Sequence, residues 1–307
     1  MSISFLLKRL ANAAVLLCIV ALIVFMMIHV VPGDPARIIL GDRARVEDVE
    51  ALRQRLGFDE PLHVQFYHFV TDVAHGDFGE SIRSQQPAIE LVMGAVPATL
   101  KLVGTSLVVA FGLGIPLGVA AAVRKDKLFD RFCLAIALVG QSVPAFWIGL
   151  ILVSVFALRL GLLPTSGYGG FRYLVLPVMS LVPYILGMIL RITRVSVIDV
   201  LDEDYIRTAH AKGMHPWLVV SKHALKNAAI PITTVMGLQI GALLGGAIIT
   251  ETVFAWPGIG RLAVSSLGYR DWPVVRTVIL IAAFGLVLIN LLVDVLYTII
   301  DTRIRFK

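Results

Sequence analysis

Six long apolar stretches constrain this chain more than any other feature of its sequence. They cover residues 10–31, 98–123, 129–158, 174–190, 230–253 and 273–300. A helix needs about 20 mainly apolar residues to cross the roughly 30 Å hydrocarbon core of a bilayer. The stretch 174–190 is the shortest and contains Pro177 and Pro183. The sequence therefore predicts an all-α integral membrane protein with six transmembrane helices.

The composition agrees with this prediction. Hydrophobic residues make up 58% of the 307 residues and charged residues 16%, far to the apolar side of a soluble domain. The first stretch follows Lys8 and Arg9 and is longer than the apolar region of a secretory signal peptide, so we expect an uncleaved first helix. Cys18 and Cys133 lie in predicted spans, where small core residues are expected rather than a disulfide or a metal site.

The distribution of Lys and Arg predicts the orientation of the chain. With both termini on one side, the short segments on that side are rich in basic residues and the two short loops opposite hold few. Because short cytoplasmic loops carry such an excess, both termini are predicted to be cytoplasmic. The same bias, with contact to anionic membrane lipid, explains the net charge of +6, so nucleic acid is not an expected partner.

Residues 32–97 form the largest predicted external segment. Apolar positions at helical spacing predict one short helix that ends before Gly57 and a second between Pro61 and Gly76. These one-sided helices could lie on the outer leaflet, cap a pore, or pack onto the outer ends of the spans. No interdomain linker divides the chain, so a single domain is predicted over residues 1–307.

The chain lacks the common motifs of enzymes. There is no phosphate-binding Gly-x-x-x-x-Gly-Lys-Ser/Thr loop, no His-Glu-x-x-His, no Cys-x-x-Cys and no Gly-x-Ser-x-Gly. The seven histidines show no paired metal-ligand spacing. We therefore predict no catalytic residue, no metal site and no ATPase activity in this chain.

Polar residues inside the spans are the candidates for a translocation path, because they are costly there. Asn290 and Asp294 lie one turn apart on the last span, and Gln239 lies in the fifth. Asp294 can either line the path or pair with a cytoplasmic Arg and anchor the bundle, and we favour the second.

A glycine repeat in the fifth span predicts close helix packing. Gly237, Gly241 and Gly245 recur at every fourth residue, which creates a ridge without side chains. The spacing leaves open whether the approaching helix belongs to this chain or to a second subunit.

A polar, basic island at residues 204–231 interrupts the apolar pattern. It predicts a helical hairpin: a helix over 202–212 ends at Gly213, His215 caps a second helix, and Pro216 is its first residue. The second helix is predicted to reach Ala228, with an apolar stripe of Trp217, Val220 or Ser221, Ala224 and Ala228. From spacing alone, a solvated loop and a docking element explain this hairpin equally well.

The hairpin resembles the cytoplasmic coupling loop of bacterial binding-protein-dependent ABC importers, in the form found in the dipeptide, oligopeptide and nickel permeases. That form reads Tyr-x-Arg-Thr-Ala-x-Ala-Lys-Gly, then His-Ala-Leu-x-Asn-Ala and Pro. The matching residues are Tyr205, Arg207, Thr208, Ala209, Ala211, Lys212, Gly213, His223, Ala224, Leu225, Asn227, Ala228 and Pro231. The wider superfamily begins this loop with Glu-Ala-Ala, and the difference is typical of the peptide branch. Stretches such as "VVPGDPA", "SVPAFWIGL" and "ETVFAWPGIGRL" extend the resemblance along nearly the whole chain.

The resemblance implies a permease of the type I ABC importer kind in the bacterial inner membrane. This chain would form half of a channel, and a second homologous permease would form the other half. Two cytoplasmic ATPase subunits would bind ATP and Mg²⁺, so this chain would need no cofactor. The hairpin around Gly213, within the cytoplasmic coupling loop 191–229, would sit in a cleft of one ATPase and transmit its closure to the spans as alternating access.

In the same family, an external substrate-binding protein would deliver the solute. The resemblance favours small peptides as the solute, with nickel, glutathione or oligosaccharides as alternatives. Two other classes stay open: an independent channel or ion-coupled carrier would show more intramembrane charge, and an intramembrane enzyme would show paired catalytic groups.

Overall fold

The computed structural model describes residues 3–30, 37, 45–55, 57 and 59–300. Its helices are α1 Ile3–Val30, α2 Val46–Arg55, α3 Leu62–Ala74, α4 Ala88–Val123, α5 Leu128–Ser142, α6 Ala145–Leu152, α7 Phe171–Leu201, α8 Asp204–Ala211, α9 Pro216–Leu218, α10 Leu225–Val253, α11 Ile259–Gly268 and α12 Trp272–Ile300. Segments of π-helix follow α6 at Val153–Arg159 and join α9 to α10 at Val219–Ala224. The all-α prediction is confirmed, since the described residues add only one isolated β-bridge.

Among the described residues, four helices are long and apolar enough to cross a membrane. They are Arg9–Met27 within α1, Ala88–Val123, Phe171–Leu201, and Trp272–Val293 within α12. Two further candidates are bent pairs: Leu128–Ser142 with Ala145–Arg159, and Pro216–Leu243 with Ala247–Val253. By length and composition the described part of the chain therefore has up to six spans if each bent pair counts as one.

The third predicted span, 129–158, is wrong as a single straight helix. Its two halves are bent by 98° at a break between Ser142 and Ala145. Pro144 supplies the physical cause, because its ring disfavours the helical conformation for the residue before it. Val143 accordingly has an extended backbone with φ −98° and ψ 124°.

The fourth predicted span, 174–190, is too short at both ends. Helix α7 runs from Phe171 to Leu201, and Pro177 and Pro183 lie inside it. The apolar stretch ends near Arg191, but the helix continues because the following residues still bury one face, including Thr193 and Val197. Helix length here is set by packing and not by hydropathy alone.

The described chain divides into two compact units. Of the described residues, one unit comprises 97–261 and 288–300, and the other comprises those between 3 and 96 together with 262–287. Each unit combines distant parts of the sequence, so neither corresponds to a contiguous domain. The single domain over 1–307 stays a prediction.

The second unit contains both helices predicted for residues 32–97, which are confirmed as α2 and α3. Phe69 of α3 is 8% exposed and packs with Val24 and Phe25 of α1 and with Leu280 of α12. The rings of Phe25 and Phe66 meet edge to face at 5.4 Å. Of the roles open to α3, packing onto the spans is the one that the structure shows.

The first unit is built around α7, which packs against α5, α6 and α10. Small residues permit the close approach of its neighbours. A Cβ on Gly118 of α4 would lie 2.7 Å from the carbonyl oxygen of Leu190, and one on Gly187 would lie 2.6 Å from that of Ala137 in α5. Larger side chains at either glycine would push these helices apart.

The structure answers the question about the glycine repeat for one of its three members. A Cβ on Gly237 of α10 would lie 2.5 Å from Cγ1 of Val293 in α12, so the approaching helix belongs to this chain. Gly241 is half-buried in the same helix. The surroundings of Gly245 lie outside the described residues.

Candidate functional site

The turn of the predicted hairpin has the geometry of a Schellman helix end. The backbone N–H of Met214 donates to the carbonyl of Ala209 at 3.3 Å, and that of Gly213 donates to the carbonyl of His210 at 2.9 Å. Gly213 has φ +75°, which a residue with a side chain rarely adopts. The prediction that Gly213 ends the first helix is confirmed.

The second arm starts where its capping residue and its first proline predict. His215 has an extended backbone, and its Nδ1 accepts a hydrogen bond from the N–H of Trp217 at 3.3 Å. Pro216 occupies the first helical position, where its missing N–H costs nothing. Both arms and the turn of the hairpin are therefore encoded locally.

One face of the hairpin packs against the chain itself. Ile206, Ala209, Val219 and Ala224 form a buried cluster, and Met214 from the turn packs against it. This cluster holds the two arms together and fixes the direction in which the turn projects.

The predicted apolar stripe of the second arm needs correction. Trp217 is 68% exposed, but Val220 and Ala228 are buried in a cluster with Val197 of α7, and Ala224 is buried as well. The π-helical segment Val219–Ala224 causes the difference, because it places an extra residue in the turn. Most of the stripe therefore packs the hairpin against its own chain. Of its members named here, only Trp217 is left exposed for contact with an external partner.

The outward face of the hairpin combines exposed apolar groups with polar ones. Trp217, Leu218 and Tyr205 are 68%, 49% and 40% exposed. Further exposed members of the predicted set are Arg207, Thr208, Ala211, Lys212, Gly213 and Asn227. Of the rest, Ala209 and Ala224 are buried, His223 is half-buried, and Pro231 lies exposed in α10. The structure thus separates the motif into an inward set that packs and an outward set that can make contacts.

A hydrogen bond joins the two halves of the motif. Nδ2 of Asn227 donates to the hydroxyl oxygen of Tyr205 at 2.6 Å, which ties α8 to the start of α10. Arg207 forms an ion pair with Asp204 at 3.3 Å, one turn earlier on α8. The spacing of Tyr205 and Asn227 in the sequence follows from this bridge between the arms.

We expect a double-mutant cycle of Tyr205→Phe and Asn227→Ala to give a coupling of about 1 kcal/mol in the free energy of unfolding. Either single change breaks the same bridge, so the double variant loses little more than each single one. Denaturant unfolding of the purified protein measures this, with Arg207→Gln on the same helix as the control. Strictly additive effects would show that the bridge does not hold the arms together.

The three path candidates have different surroundings. Gln239 is 5% exposed, and its Oε1 has no hydrogen-bond partner among the described residues. Asn290 is exposed on α12. The side chain of Asp294 lies outside the described residues, so its pairing with an Arg and its place in a path both remain predictions.

Sequence reasoning missed a buried ion pair between α5 and α7. Asp130 is 1% exposed, and Arg194 donates to its Oδ1 through Nε at 2.5 Å and to its Oδ2 through Nη2 at 2.6 Å. The N–H of Asp126 in the preceding turn also donates to Oδ2, at 2.9 Å. An acid at the start of an apolar stretch was the available signal for this pair.

Sequence reasoning also missed a buried network of hydrogen bonds around Glu251, which explains the stretch "ETVFAWPGIGRL". Glu251 is fully buried and accepts hydrogen bonds from the hydroxyl of Thr99 at 2.6 Å and from the N–H of Arg261 at 3.0 Å. The indole N–H of Trp256 donates to the carbonyl of Ala98 at 2.8 Å. A Cβ on Gly258 would collide with the Glu251 carboxylate, so glycine is required there. These hydrogen bonds hold the turn after α10 against α4.

Comparison with known proteins identifies the class. Residues 114–306 match the family described as "binding-protein-dependent transport system inner membrane component". Residues 2–103 match the N-terminal family of the same transport systems. The chain belongs to this family.

The permease has close relatives over its whole length. It is 46% identical over 305 residues to the glutathione transport system permease protein GsiC of Salmonella typhimurium (strain LT2), which covers 99% of this chain and 100% of the relative. The GsiC protein of Escherichia coli (strain K12) is 45% identical over the same length.

The fold of the permease resembles solved ABC transporters. An inward-facing structure of the MetNI methionine ABC transporter matches with a TM-score of 0.59 and 21% identity, over 69% of this chain and 96% of that one. A second crystal form matches with a TM-score of 0.57.

These findings confirm the class predicted from the sequence. The permease is the membrane-spanning subunit of an ABC importer in the inner membrane, and it is a transport protein and not an enzyme. ATP hydrolysis belongs to partner subunits, and the family implies both ATPase and binding-protein partners.

Proposed function

We propose that this permease imports glutathione or another small peptide into the cytoplasm. The observation that carries the proposal is the 46% identity to glutathione permeases over the full length of both chains. The match covers 99% of this chain and 100% of the relative, so it includes the spans as well as the hairpin. Nickel and oligosaccharides are the less favoured solutes of the same family.

In this proposal a second homologous permease completes the channel, and two ATPase subunits bind ATP and Mg²⁺ on the cytoplasmic side. The permease itself holds no cofactor. Both termini and the loop 191–229 are cytoplasmic, and residues 32–97 face the external binding protein. Membrane lipid surrounds the remaining surface.

The hairpin is the proposed coupling element. Its outward face offers Trp217 and Leu218 for apolar contact with an ATPase, and Arg207 and Lys212 for orientation by charge. Its inward face is packed against α7, so a displacement of the hairpin is transmitted to that helix. Closure of the ATPases around ATP would move α7 and its neighbours between inward- and outward-facing states.

Gentle purification of the tagged permease from its native membrane, followed by mass spectrometry, is the first test. We expect a second permease and one or two ATPase subunits to stay bound. The purified complex, reconstituted in liposomes with its binding protein, is expected to accumulate labelled glutathione only with ATP inside. A well-folded permease that carries no ATPase, or that transports alone, would overturn the proposal.

A further inference from the structure

The turn between α4 and α5 carries a patch of positive charge. Four basic residues lie within the segment 124–131, and all of them are exposed. They form the basic patch: Arg124, Lys125, Lys127 and Arg131. None of the four forms an ion pair with another described residue. Asp126 is the one exposed acid in this segment, so positive charge is in excess on its surface.

Hydrogen bonds fix the shape of this turn. The N–H of Lys127 donates to the carbonyl of Arg124 at 3.0 Å, and the N–H of Asp126 donates to Oδ2 of Asp130 at 2.9 Å. Asp126 has φ +65°, a left-handed conformation that Asp tolerates better than most residues. Asp130 is itself paired with Arg194, so its charge is offset inside the protein. The basic patch is therefore presented by a defined turn, and the buried acid beneath it is already occupied.

An exposed apolar face starts where the turn ends and continues along α5. It is the α5 face, formed by Leu128, Phe132, Ile136 and Val139, which recur at every third or fourth residue. Leu128 is 83% exposed and Phe132 is 63% exposed. The opposite face, which includes the buried Cys133, packs against α7. From Leu128 to Val139 the α5 face is about 16 Å long, roughly half the hydrocarbon core of a bilayer.

The basic patch lies at the same end of the first unit as the hairpin. Val119 and Ala122, just before the turn, belong to a buried cluster with Val197 of α7 and with Val220 and Ala228 of the hairpin. In the proposed function this end faces the cytoplasm, and the inference rests on that proposal for its side of the membrane. The cytoplasmic leaflet carries a negative surface potential, which raises the membrane affinity about fivefold for each Lys or Arg near the surface.

We infer that the basic patch binds the phosphate headgroup of an anionic phospholipid, and that the acyl chains of this lipid cover the α5 face. Lys125, Lys127 and Arg131 supply charge-assisted hydrogen bonds to the phosphate. The guanidinium of Arg124 lies 5.2 Å from the ring centroid of Phe129, which holds it at the start of α5. The site thus joins a place for the headgroup to a place for the chains.

A protein partner such as an ATPase would explain less of this surface. The apolar part of α5 starts directly after the turn, so a cytoplasmic protein would meet the basic patch and leave the α5 face uncovered. Inorganic phosphate would also occupy the basic patch alone. An anionic phospholipid matches both parts, because its headgroup carries the negative charge and its chains run along the spans.

Photo-crosslinking of lipid to the purified importer tests the site. The importer is placed in phosphatidylcholine nanodiscs with a small fraction of phosphatidylglycerol or phosphatidylcholine that carries the same photoactivatable acyl chain. We expect phosphatidylglycerol to label residues 128–142 roughly tenfold more than phosphatidylcholine does. Lys125→Gln with Lys127→Gln is expected to lower this preference to roughly one- to threefold. The matched control, Lys101→Gln with Arg159→Gln, removes two exposed cations elsewhere in the unit and should keep the preference.

Equal labelling of the wild type by the two lipids, or an unchanged preference in the double variant, would overturn the inference. So would labelling that appears only after the ATPases are removed, which assigns the basic patch to an ATPase, or labelling that is lost in excess inorganic phosphate but not in sodium chloride of equal ionic strength. Unchanged labelling by phosphatidylcholine shows that the double variant keeps its fold. If the permease purifies without an ATPase, the proposed function fails, but the labelling still decides the lipid site, because both leaflets of the nanodisc have the same composition.

Discussion

Replacement of Gly213 by Trp is expected to abolish solute uptake while the permease remains folded in the membrane. A Cβ on Gly213 would meet no heavy atom within 4 Å, so the indole would project outward from the turn without disturbing the chain. The left-handed backbone adds a strain of about 1–2 kcal/mol, which is small beside the stability of a typical protein. The expected defect is therefore a blocked contact with the ATPase.

Two variants separate this effect from strain. Gly213→Asn keeps the turn, because Asn tolerates the left-handed conformation, and should retain most of the uptake. Gly161→Trp places the same side chain on another exposed turn with φ +62° and open space, and should leave uptake intact. ATP-driven uptake in liposomes and co-purification of the ATPase are the measurements. Normal uptake by Gly213→Trp would exclude this turn from the coupling contact.

The parts of the hairpin that could be predicted are those with local causes. Gly213, His215 and Pro216 each act on residues within one helical turn, so their positions in the sequence were sufficient to locate the turn and both arms. The positions of the six apolar stretches were predictable for the same reason, because hydropathy is a property of a single segment.

Features that depend on the rest of the fold could not be predicted in this way. The π-helical segment Val219–Ala224 separates the exposed Trp217 from the buried Ala224 of the predicted stripe, and nothing in its sequence requires the extra residue.

Long-range polar contacts are the second kind of feature that could not be predicted from the sequence. Glu251 and Thr99 are 152 residues apart, and Asp130 and Arg194 are 64 residues apart. Each residue alone fits an unremarkable position near the end of a span. Only the fold brings the partners of each pair together.

Asp130→Ala is expected to destabilise the permease by about 3–5 kcal/mol, because it leaves the guanidinium of Arg194 without its partner. The side chain of Arg194 is only 15% exposed, so water cannot replace the two lost hydrogen bonds at full strength. The N–H of Asp126 loses its acceptor as well, which loosens the turn between α4 and α5. Thermal and denaturant unfolding in detergent measure the loss.

The cost should arise from the unpaired charge and not from the missing attraction itself. Replacement of both partners, Asp130→Leu with Arg194→Met, is therefore expected to recover most of the stability lost in Asp130→Ala. Asp204→Ala is the matched control, since its ion pair with Arg207 joins side chains that are 96% and 75% exposed and should contribute nothing measurable. If Asp130→Ala unfolds like the wild type, or the double variant is no more stable than the single one, the pair does not hold α5 against α7.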